Sequence, residues 1–498
     1  MTPPLDLVRR FGDLHALVIG DVMLDSYLEG TASRLCAEGP VPVVNKTVEE
    51  RTPGGAANTA ANLRALGARR VSLLGMIGAD ASGNHLRAAL DQAGVDTSCL
   101  VEDDAVSTLH KLRILADSQY VVRFDEGDTR NCPLEVHDRL LANLERAFVE
   151  CDVVVVSDYD YGVLSETLLA RLSELRRSRP SVLLVDSKNL PRYRSVNATV
   201  LTPNHLEARA AVGWSGGKEQ GVSLPDEEET GRRLLAMTGA EHVAVTMGAE
   251  GVLLVGRTDQ ALHLPAHPVS QPKDVGAGDS FVAAMGLALA AGGDVTEAAR
   301  IGIDAASVAV TKQRTAVVTH QELLQAVGTR LQSKEEGYPH LAVQAVEDAR
   351  NAGHRIVFTN GVFDILHAGH VNFLRRAKAL GDVLVVGVNT DRGARRLKGA
   401  GRPVNSERDR VALVAALDSV DHAVLFDEDT PAELIRTLRP HVHVKGGDYA
   451  DGPLPEAEAV EEVGGEVAIL PLLDGHSTSD VIDRIAALAS RNLQESPL

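Results

Sequence analysis

The first half of the sequence repeats one pattern, in which a short run of continuous apolar residues is followed by a stretch with helical spacing. Apolar runs of this kind are typical of strands in a parallel sheet that helices cover on both faces. We therefore predict an α/β fold with a central parallel sheet for this half. The predicted strands cover residues 16–21, 71–78, 152–158, 181–187, 198–204 and 242–248.

Two other segments of the first half alternate apolar and polar residues instead. They lie at residues 42–51 and 108–124. Alternation indicates strands with one buried and one solvated face. The sequence thus predicts an antiparallel flap beside the main sheet.

A second α/β unit follows a polar, charged segment. Residues 355–359 and 383–389 are predicted to be strands, and residues 371–380 an amphipathic helix between them, which makes a βαβ unit. A length of 498 residues fits two or three domains at roughly 100–200 residues each. We expect a first domain at 1–328, a linker at 329–352 and a second domain at 353–498.

Charge and composition exclude some classes of function. Asp and Glu number 69 against 50 Lys and Arg, a formal charge of −19, which argues against binding of polyanionic nucleic acid. No apolar run approaches the roughly 20 residues of a membrane span, and no secretory signal is expected. The four cysteines have no CxxC spacing, so a reduced, cytoplasmic location is expected. They are Cys36, Cys99, Cys132 and Cys151.

The most informative segment of the second half is TNGVFDILHAGH, residues 359–370. It places His367 and His370 on one face of the first helical turn, beside backbone N–H groups that have no intrahelical acceptor. Gly369 between them allows close approach of a phosphate. A metal pair or a polar helix cap would show the same two histidines, and those alternatives stay open for the spacing alone.

In the first half, GAGD at residues 276–279 opens an apolar helix. Gly276, Ala277 and Gly278 can direct backbone N–H groups at a transferring phosphoryl group, as an anion hole. Asp279 is then placed to take a proton from an attacking hydroxyl. The alternative is a tight turn with an N-cap aspartate.

Residues 16–324 resemble the ribokinase-like sugar kinases of the PfkB family. The segments GDVMLD and GGAAN match the parts of that family that lie near the sugar, although Asp21 and Asp25 are each also suited to capping a turn. The resemblance therefore implies that sugar is bound by Asp21, Asp25, Gly54, Gly55 and Asn58.

The same resemblance implies an ATP site. The segment TPNHLEA matches the family's NxxE motif at Asn204 and Glu207, which is implied to hold Mg²⁺ through water; a solvated acid at a helix start is the alternative for Glu207. TMGAEG matches the TxGxxG turn near the nucleotide, at Thr246, Gly248 and Gly251. Lys273 stands where members usually have Asp, so a monovalent-cation site is not carried over.

In the second half, GxFDxxHxGH resembles the signature of the nucleotidyltransferases that include cytidylyl- and adenylyltransferases. His367 and His370 are expected to neutralise charge on the phosphates, with Lys398 as a mobile cation. Arg402 suits either a sugar phosphate or a structural ion pair, and the STS segment suits either phosphate or a helix N-cap. Nucleotide is expected at Asn360, Gly361, Phe363, Asp364, Gly369, Lys445, Gly446, Asp448, Ser477, Thr478 and Ser479.

Both halves in this order resemble the family of bifunctional heptose 7-phosphate kinase/heptose 1-phosphate adenylyltransferases of ADP-heptose synthesis. The resemblance implies two ATP-dependent reactions on sugar phosphates, with a separate phosphatase acting between them, and a homodimer formed through the kinase domain. Lys111, Arg113 and Arg123 on the predicted flap are our candidates for the 7-phosphate. A kinase fused to a cytidylyltransferase for another sugar or polyol phosphate, and a nucleotide-binding sensor with one degenerate half, are the alternatives.

Overall fold

The computed structural model divides the chain into two compact units, Met1–Leu331 and Gln332–Leu498. A helix continues to Gln332, into the segment predicted as a linker, and the domain boundaries stay a prediction. The structure describes residues 2–117, 119–129, 133–214, 227–257, 261–267, 269, 276–312, 317–332, 335–336, 343, 346–347, 349–399, 401–447 and 454–471.

The first unit is built on a nine-stranded sheet and a four-stranded sheet. Its strands are β1 His15–Gly20, β2 Val22–Leu35, β3 Pro42–Gly55, β4 Arg70–Gly78, β5 Leu100–Asp103, β6 Ser107–Ala116, β7 Gln119–Asp128, β8 Val153–Asp158, β9 Val182–Ser187, β10 Val200–Leu201, β11 His242–Thr246, β12 Val252–Gly256 and β13 Leu262–Leu264. Its helices are α1 Pro4–Arg9, α2 Ala56–Ala65, α3 Ala81–Gln92, α4 Leu134–Phe148, α5 Glu166–Ser178, α6 His205–Ala211, α7 Glu227–Thr238, α8 Ala277–Ala290, α9 Val295–Ala309 and α10 His320–Gln332.

The nine-stranded sheet has the order β13-β12-β11-β10-β9-β8-β1-β4-β5 and is parallel from β11 to β5. Alternate residues of β1 enter different cores: Ala16 and Val18 pack on one face, Leu17 and Ile19 on the other. The continuous apolar runs are therefore explained by burial on both faces, and the predicted parallel sheet is confirmed.

The four-stranded sheet, β3-β2-β6-β7, is the predicted flap. β2 with β3 and β6 with β7 are antiparallel, as expected, but the central pair β2–β6 is parallel. The chain between β2 and β6 passes through β3, α2, β4, α3 and β5, and this long connection is what a parallel pairing requires.

The second unit has a six-stranded, wholly parallel sheet. Its strands are β14 Glu335–Glu336, β15 Ile356–Gly361, β16 Val383–Asn389, β17 His422–Phe426, β18 Val442–Gly446 and β19 Glu466–Leu470. Its helices are α11 Ala368–Lys378, α12 Asp391–Lys398, α13 Glu407–Ala415, α14 Ala432–Leu438 and α15 Ala457–Glu462. The strand order is β14-β17-β16-β15-β18-β19, and the predicted βαβ unit is confirmed as β15-α11-β16.

Each parallel sheet reverses its strand order at one point. In the first unit the chain runs outwards from β1 on one side and from β8 on the other, and in the second unit from β15 and from β18. Ligands of open α/β sheets bind at the carboxyl ends of the strands beside such a reversal. The two reversals thus indicate where a site belongs in each unit.

Candidate active sites

At the reversal in the first unit, Asp21 follows β1 and its carboxylate accepts hydrogen bonds from the loop after β8. Tyr159 N lies 2.8 Å and Tyr161 N 3.1 Å from Asp21 Oδ2, and Val163 N lies 3.3 Å from Oδ1. Burial raises the pKa of Asp21 to about 6, although these backbone hydrogen bonds oppose the shift. Both oxygens are therefore engaged in holding the loop that carries Tyr159.

Asp25 lies on β2 with its carboxylate against the flap and the glycine pair. Arg113 Nη1 on β6 lies 2.8 Å from Asp25 Oδ1. A Cβ atom at Gly54 would lie 2.6 Å from Asp25 Oδ2, and one at Gly55, where φ is +56°, would lie 2.6 Å from the Asp21 carbonyl oxygen. The glycines make room for the neighbouring chain and the Asp25 side chain, and Asp25 is 6% exposed.

Asp279 stands in the first turn of α8, where the sequence predicts a base. Asn58 Nδ2 lies 2.5 Å from Asp279 Oδ2, and Thr59 Oγ1 lies 2.9 Å from Oδ1. Burial raises the pKa of Asp279 to about 6, and the two hydrogen bonds limit the increase. Gly276 caps the helix with φ +85°, a conformation that favours glycine.

A buried amide that the sequence analysis missed joins these two helices. Asn62 on α2 is fully buried, and its Oδ1 accepts hydrogen bonds from Ser280 Oγ at 2.8 Å and from Val318 N at 3.3 Å. Its Nδ2 donates to the Asn58 carbonyl at 3.0 Å. Asn58 and Asn62 are four residues apart in an alanine-rich helix, so they share one face of it. This spacing was the signal in the sequence for a polar contact on that face.

Tyr159, also missed, lies between two lysines. Lys188 Nζ is 5.0 Å and Lys111 Nζ 5.4 Å from the centre of its ring, within the range of a cation–π contact. The pKa of Tyr159 is raised well above its ordinary value, first by Asp279 and then by burial and other carboxylates. Lys111 and Lys188 therefore both lie beside the Tyr159 ring, in the same acidic site as Asp279.

The three predicted flap cations differ in exposure. Lys111 and Arg113 are partly buried, and burial lowers the pKa of Lys111. Arg123 lies directly opposite Arg113 in the β6–β7 pairing, but it is exposed and paired with Asp125 at 2.9 Å. Cross-strand partners share a face of the sheet, so all three belong to one surface.

The segments of the first unit that are predicted to bind nucleotide meet at the carboxyl ends of β10 and β11. Asn204 forms an isolated parallel bridge with Thr246. Asn204 and Glu207 form a capping box: Asn204 Oδ1 accepts from Glu207 N at 2.9 Å, and Glu207 Oε2 accepts from Asn204 N at 3.0 Å. Gly248 and Gly251 both have positive φ, at +58° and +98°. The NxxE motif thus builds the start of α6 in addition to any ligand role.

At the reversal in the second unit, His367 is the N-cap of α11 and His370 lies in its first turn. Their ring centres are 3.9 Å apart, which confirms the shared face. Burial lowers the pKa of His370 to about 4, and His367 adds to the shift. At neutral pH the free protein therefore presents His370 as a neutral hydrogen-bonding group.

The loop before these histidines is held by its neighbours. Phe363 is 6% exposed, has φ +50°, and its ring centre lies 5.4 Å from that of His370. Asp364, also buried, accepts a hydrogen bond from Val404 N at 2.7 Å and pairs with Arg402 Nη1 at 3.1 Å. Arg402 therefore forms a structural ion pair, the role given above as the alternative to binding a sugar phosphate.

The two lysines of the second unit have different surroundings. Lys398 ends α12, is exposed, and forms no ion pair with the residues that the structure describes. Lys445, at the end of β18, is 6% exposed, pairs with Glu456 and donates to Asn360 Oδ1 at 2.9 Å. Lys398 is therefore suited to act as a mobile cation, whereas Lys445 has a structural contact with Asn360 near the end of β15.

Several predicted residues lie outside the described part of the chain, namely Asp448, Ser477, Thr478 and Ser479, as do Lys273 and Cys132. The helices that are described include none with the length and apolar character needed to cross a membrane. Within the same ranges, no group of three or more His, Cys, Asp or Glu side chains has the arrangement of a metal site.

Comparison with known families gives a match in each unit. Residues 13–322 match the pfkB family of carbohydrate kinases. Residues 358–483 match the cytidylyltransferase-like family. The two matches fall on the two units in the order that the sequence predicts.

Curated relatives match nearly the whole chain. The bifunctional protein HldE of Geobacter sulfurreducens is 40% identical over 484 residues, covering 96% of this chain and 97% of the relative. The bifunctional protein HldE of Methylococcus capsulatus is 42% identical over 487 residues, covering 96% and 99%.

Solved structures support the fold of the first unit. Phosphofructokinase-2 from Escherichia coli in complex with potassium matches with a TM-score of 0.52 at 22% identity, covering 64% of this chain and 98% of that one. Ribokinase from Thermotoga maritima matches with a TM-score of 0.50 at 20% identity, covering 63% and 99%. At these identities the likeness concerns the fold alone, and it confirms a ribokinase-like first unit.

Proposed function

The chain belongs to the family of bifunctional HldE proteins, and on that premise we propose that it catalyses two ATP-dependent steps of ADP-heptose synthesis. The first unit phosphorylates D-glycero-β-D-manno-heptose 7-phosphate at O1, giving the 1,7-bisphosphate. The second unit transfers AMP from ATP to the 1-phosphate, giving ADP-heptose and pyrophosphate. A separate phosphatase must remove the 7-phosphate between the steps.

The single observation that carries the kinase proposal is the orientation of Asp279. Asn58 and Thr59 hold its two oxygens, and a pKa of about 6 leaves it mostly ionised at neutral pH yet basic enough to accept a proton. Asp279 would take the proton of the O1 hydroxyl as that oxygen attacks the γ-phosphorus of ATP, the bond to the β,γ-bridging oxygen breaks and ADP leaves. The free N–H groups at the start of α8 would stabilise the charge on the transferring group.

The acceptor's own 7-phosphate needs cations in the same site but away from the base, because O1 and O7 lie at opposite ends of the heptose. We propose that Lys111 and Arg113 supply them from β6, where Arg113 pairs with Asp25, with Arg123 on the same surface. We add Lys188 to this set, because it shares the Tyr159 ring with Lys111. Two ammonium groups beside one ring repel each other, and a bound phosphate would offset this repulsion.

Mg²⁺ fits the first unit as an ion held mainly through water. Glu207 and Asp279 lie near Asp186, whose pKa is raised well above its ordinary value by burial and by these carboxylates. Oxygen ligands of this kind suit Mg²⁺, which keeps several of its waters. Glu207 is the residue that would hold it, with Asn204 shaping the turn, and the bound ion would neutralise charge on the ATP phosphates.

In the second unit, the phosphates of ATP are proposed to lie at the start of α11. His367, His370 and the N–H groups of the first turn face this place, and an N–H donor of His370 would stabilise charge on the α-phosphate as the sugar 1-phosphate attacks it. Lys398 is the mobile cation for the leaving pyrophosphate. The reaction needs no covalent intermediate on the protein.

Product analysis tests both steps. The protein is incubated with heptose 7-phosphate and ATP, with and without a phosphatase specific for the 7-phosphate, and the products are identified by mass spectrometry. We expect the 1,7-bisphosphate alone without the phosphatase, and ADP-heptose with it. Absence of the bisphosphate would refute the kinase step.

A second experiment distinguishes the nucleotide of the second unit, because its family match is described as cytidylyltransferase-like. Pyrophosphate release from heptose 1-phosphate is measured with ATP, CTP and GTP. Preference for ATP supports our proposal, and preference for CTP supports the cytidylyltransferase alternative. Nucleotide binding without release of pyrophosphate would indicate a sensor.

We also propose a homodimer formed through the flap and a cytoplasmic location. Strand β7 exposes four large apolar side chains, Tyr120, Val121, Val122 and Phe124, and exposed apolar patches mark interaction surfaces. Light scattering should give twice the chain mass, and Phe124→Glu should halve it. Leu134→Glu, at an isolated exposed residue, should leave the mass unchanged.

The cytoplasmic location is supported by the cysteines. Those that the structure describes, Cys36, Cys99 and Cys151, are free thiols, as is usual in a reduced compartment.

A further inference from the structure

Among the described residues of the second unit, Arg410 on α13 has the most deeply buried charged side chain, and it lies among the segments that carry the histidine motif. Its side chain is fully buried. Nη1 donates to the Val362 carbonyl at 2.6 Å, Nε to the Asn405 carbonyl at 3.1 Å, and Nη2 to Asp391 Oδ1 at 2.9 Å. One guanidinium thus joins the loop after β15, the start of α12 and the loop before α13.

The Val362 contact matters because the next residue is strained. Phe363 has φ +50°, which a residue with a bulky side chain adopts only when its surroundings impose it. Arg410 fixes the carbonyl on one side of Phe363, and Asp364 on the other side accepts hydrogen bonds from Val404 N and Asn405 N. The strained residue is therefore clamped on both sides.

The orientation of Phe363 in turn determines the surroundings of His370. The two ring centres are 5.4 Å apart. Gly361 leaves space for the Phe363 ring, since a Cβ atom there would lie 3.2 Å from Phe363 Cε2. The ring lies against the imidazole and contributes to its burial. Burial lowers the pKa of His370, and His367 adds to the shift.

We propose that Arg410 is a positioning residue for adenylyl transfer, which acts through Val362 and Phe363 to hold the His370 imidazole in place. The inference rests on the proposed function of the second unit. Loss of the guanidinium leaves the carbonyls of Val362 and Asn405 without their donor and allows the strained loop to relax. The imidazole then moves away from the phosphate that it is to bind.

The test uses the full-length protein with Arg410→Met, which keeps the apolar volume, and Arg410→Lys, which keeps the charge but not the fork of donors. We expect kcat for adenylyl transfer to fall roughly 10- to 100-fold in Arg410→Met, because small misplacements of a catalytic group have effects of this size. Arg410→Lys should fall less, and kinase activity should be unchanged in both variants.

Arg350→Met is the matched control, because Arg350 also donates to two backbone carbonyls of the second unit, those of Leu438 and Arg439. The pKa of His370 is measured in each variant by NMR of labelled histidine, without substrate. We expect it to rise from about 4 towards 6.5 in Arg410→Met, as the Phe363 ring moves away, and to stay unchanged in Arg350→Met.

An unchanged kcat, or a lower kcat with an unchanged His370 pKa, in Arg410→Met would overturn the proposal. If Arg410→Met does not fold, the same two readouts in Arg410→Lys decide the matter. The NMR measurement needs no turnover, so the two ideas fail separately. A wild-type protein without adenylyltransferase activity would refute the proposed function, whereas a shifted His370 pKa in Arg410→Met would still show that Arg410 positions the imidazole.

Discussion

Asn58 Nδ2 and Asp279 Oδ2 lie 2.5 Å apart although 221 residues separate them along the chain. The contact joins α2 to the first turn of α8 and places an amide donor on the carboxylate that is proposed to act as base. A second donor, Thr59 Oγ1, holds the other oxygen. The kinase site is thus defined by a pair of helices that meet at the end of the sheet.

Replacing the base should separate the two activities. We expect Asp279→Asn to lower kinase turnover by roughly 100- to 10,000-fold, the usual contribution of general base catalysis. Adenylyl transfer, measured on the same preparation with heptose 1-phosphate, should be unchanged and serves as the control for folding. A kinase rate within a few fold of wild type would show that Asp279 is not the base.

The loss of kinase activity at low pH should reflect protonation of Asp279. A base with a pKa of about 6 in the free protein is protonated below that pH, so kcat/KM for the sugar phosphate should fall by about tenfold per pH unit there. Thr59→Val removes a hydrogen bond that lowers this pKa, so its acid limb should move to higher pH. The measurement is kcat/KM for the sugar phosphate against pH between 5 and 8 for both proteins, and coincident acid limbs would contradict the role of Thr59.

The pKa of His370 predicts a different pH dependence for adenylyl transfer. Its pKa of about 4 in the free protein means that its protonation state does not change between pH 5 and 7. The kcat/KM for ATP in adenylyl transfer, which reports groups of the free enzyme, should therefore lack an acid limb from this residue in that range. A limb near pH 6 that disappears in His370→Gln would contradict the prediction.

Gly54→Ala should affect the sugar site more than the fold. The new Cβ atom would lie 2.6 Å from Asp25 Oδ2, so the carboxylate must move. We expect a higher KM for the sugar phosphate and a loss of about 1–3 kcal/mol in the free energy of unfolding, as overpacking usually causes. Gly12→Ala, whose Cβ atom would meet nothing within 4 Å, is the matched control and should leave KM unchanged.

The flap cations can be ranked by their effect on KM for the phosphorylated sugar. Lys111→Met and Arg123→Ala should each raise it, by roughly tenfold or more where a charged hydrogen bond to phosphate is lost. Arg233→Ala removes an arginine of similar exposure that pairs with Glu229 instead, and should have no effect. An unchanged KM in Arg123→Ala would exclude Arg123 from the phosphate site while leaving Lys111 a candidate.

Local pattern was sufficient for most of the predicted elements and for the motifs that lie within them, although the strand predicted at residues 198–204 is limited to Val200–Leu201 and β5, β12 and β13 were not predicted. The run at residues 383–389 coincides with β16, and the two histidines share the first turn of α11 as their spacing requires. The parallel sheets followed from runs that are apolar on both faces, because such strands are stable only when covered on both sides. The order of the two family motifs also indicated two enzyme units in one chain.

The tertiary structure decided which polar side chains meet, since these contacts join residues that are far apart in the chain. In its own helix Arg410 lies in SERDR, a segment typical of a solvated surface, yet it is fully buried between two loops and the start of α12. Tyr159 and Lys188 belong to different strand ends and meet only at the carboxyl edge of the sheet. Spacing along the sequence determines the face of a helix or strand, whereas the meeting of two such faces depends on how the whole unit packs.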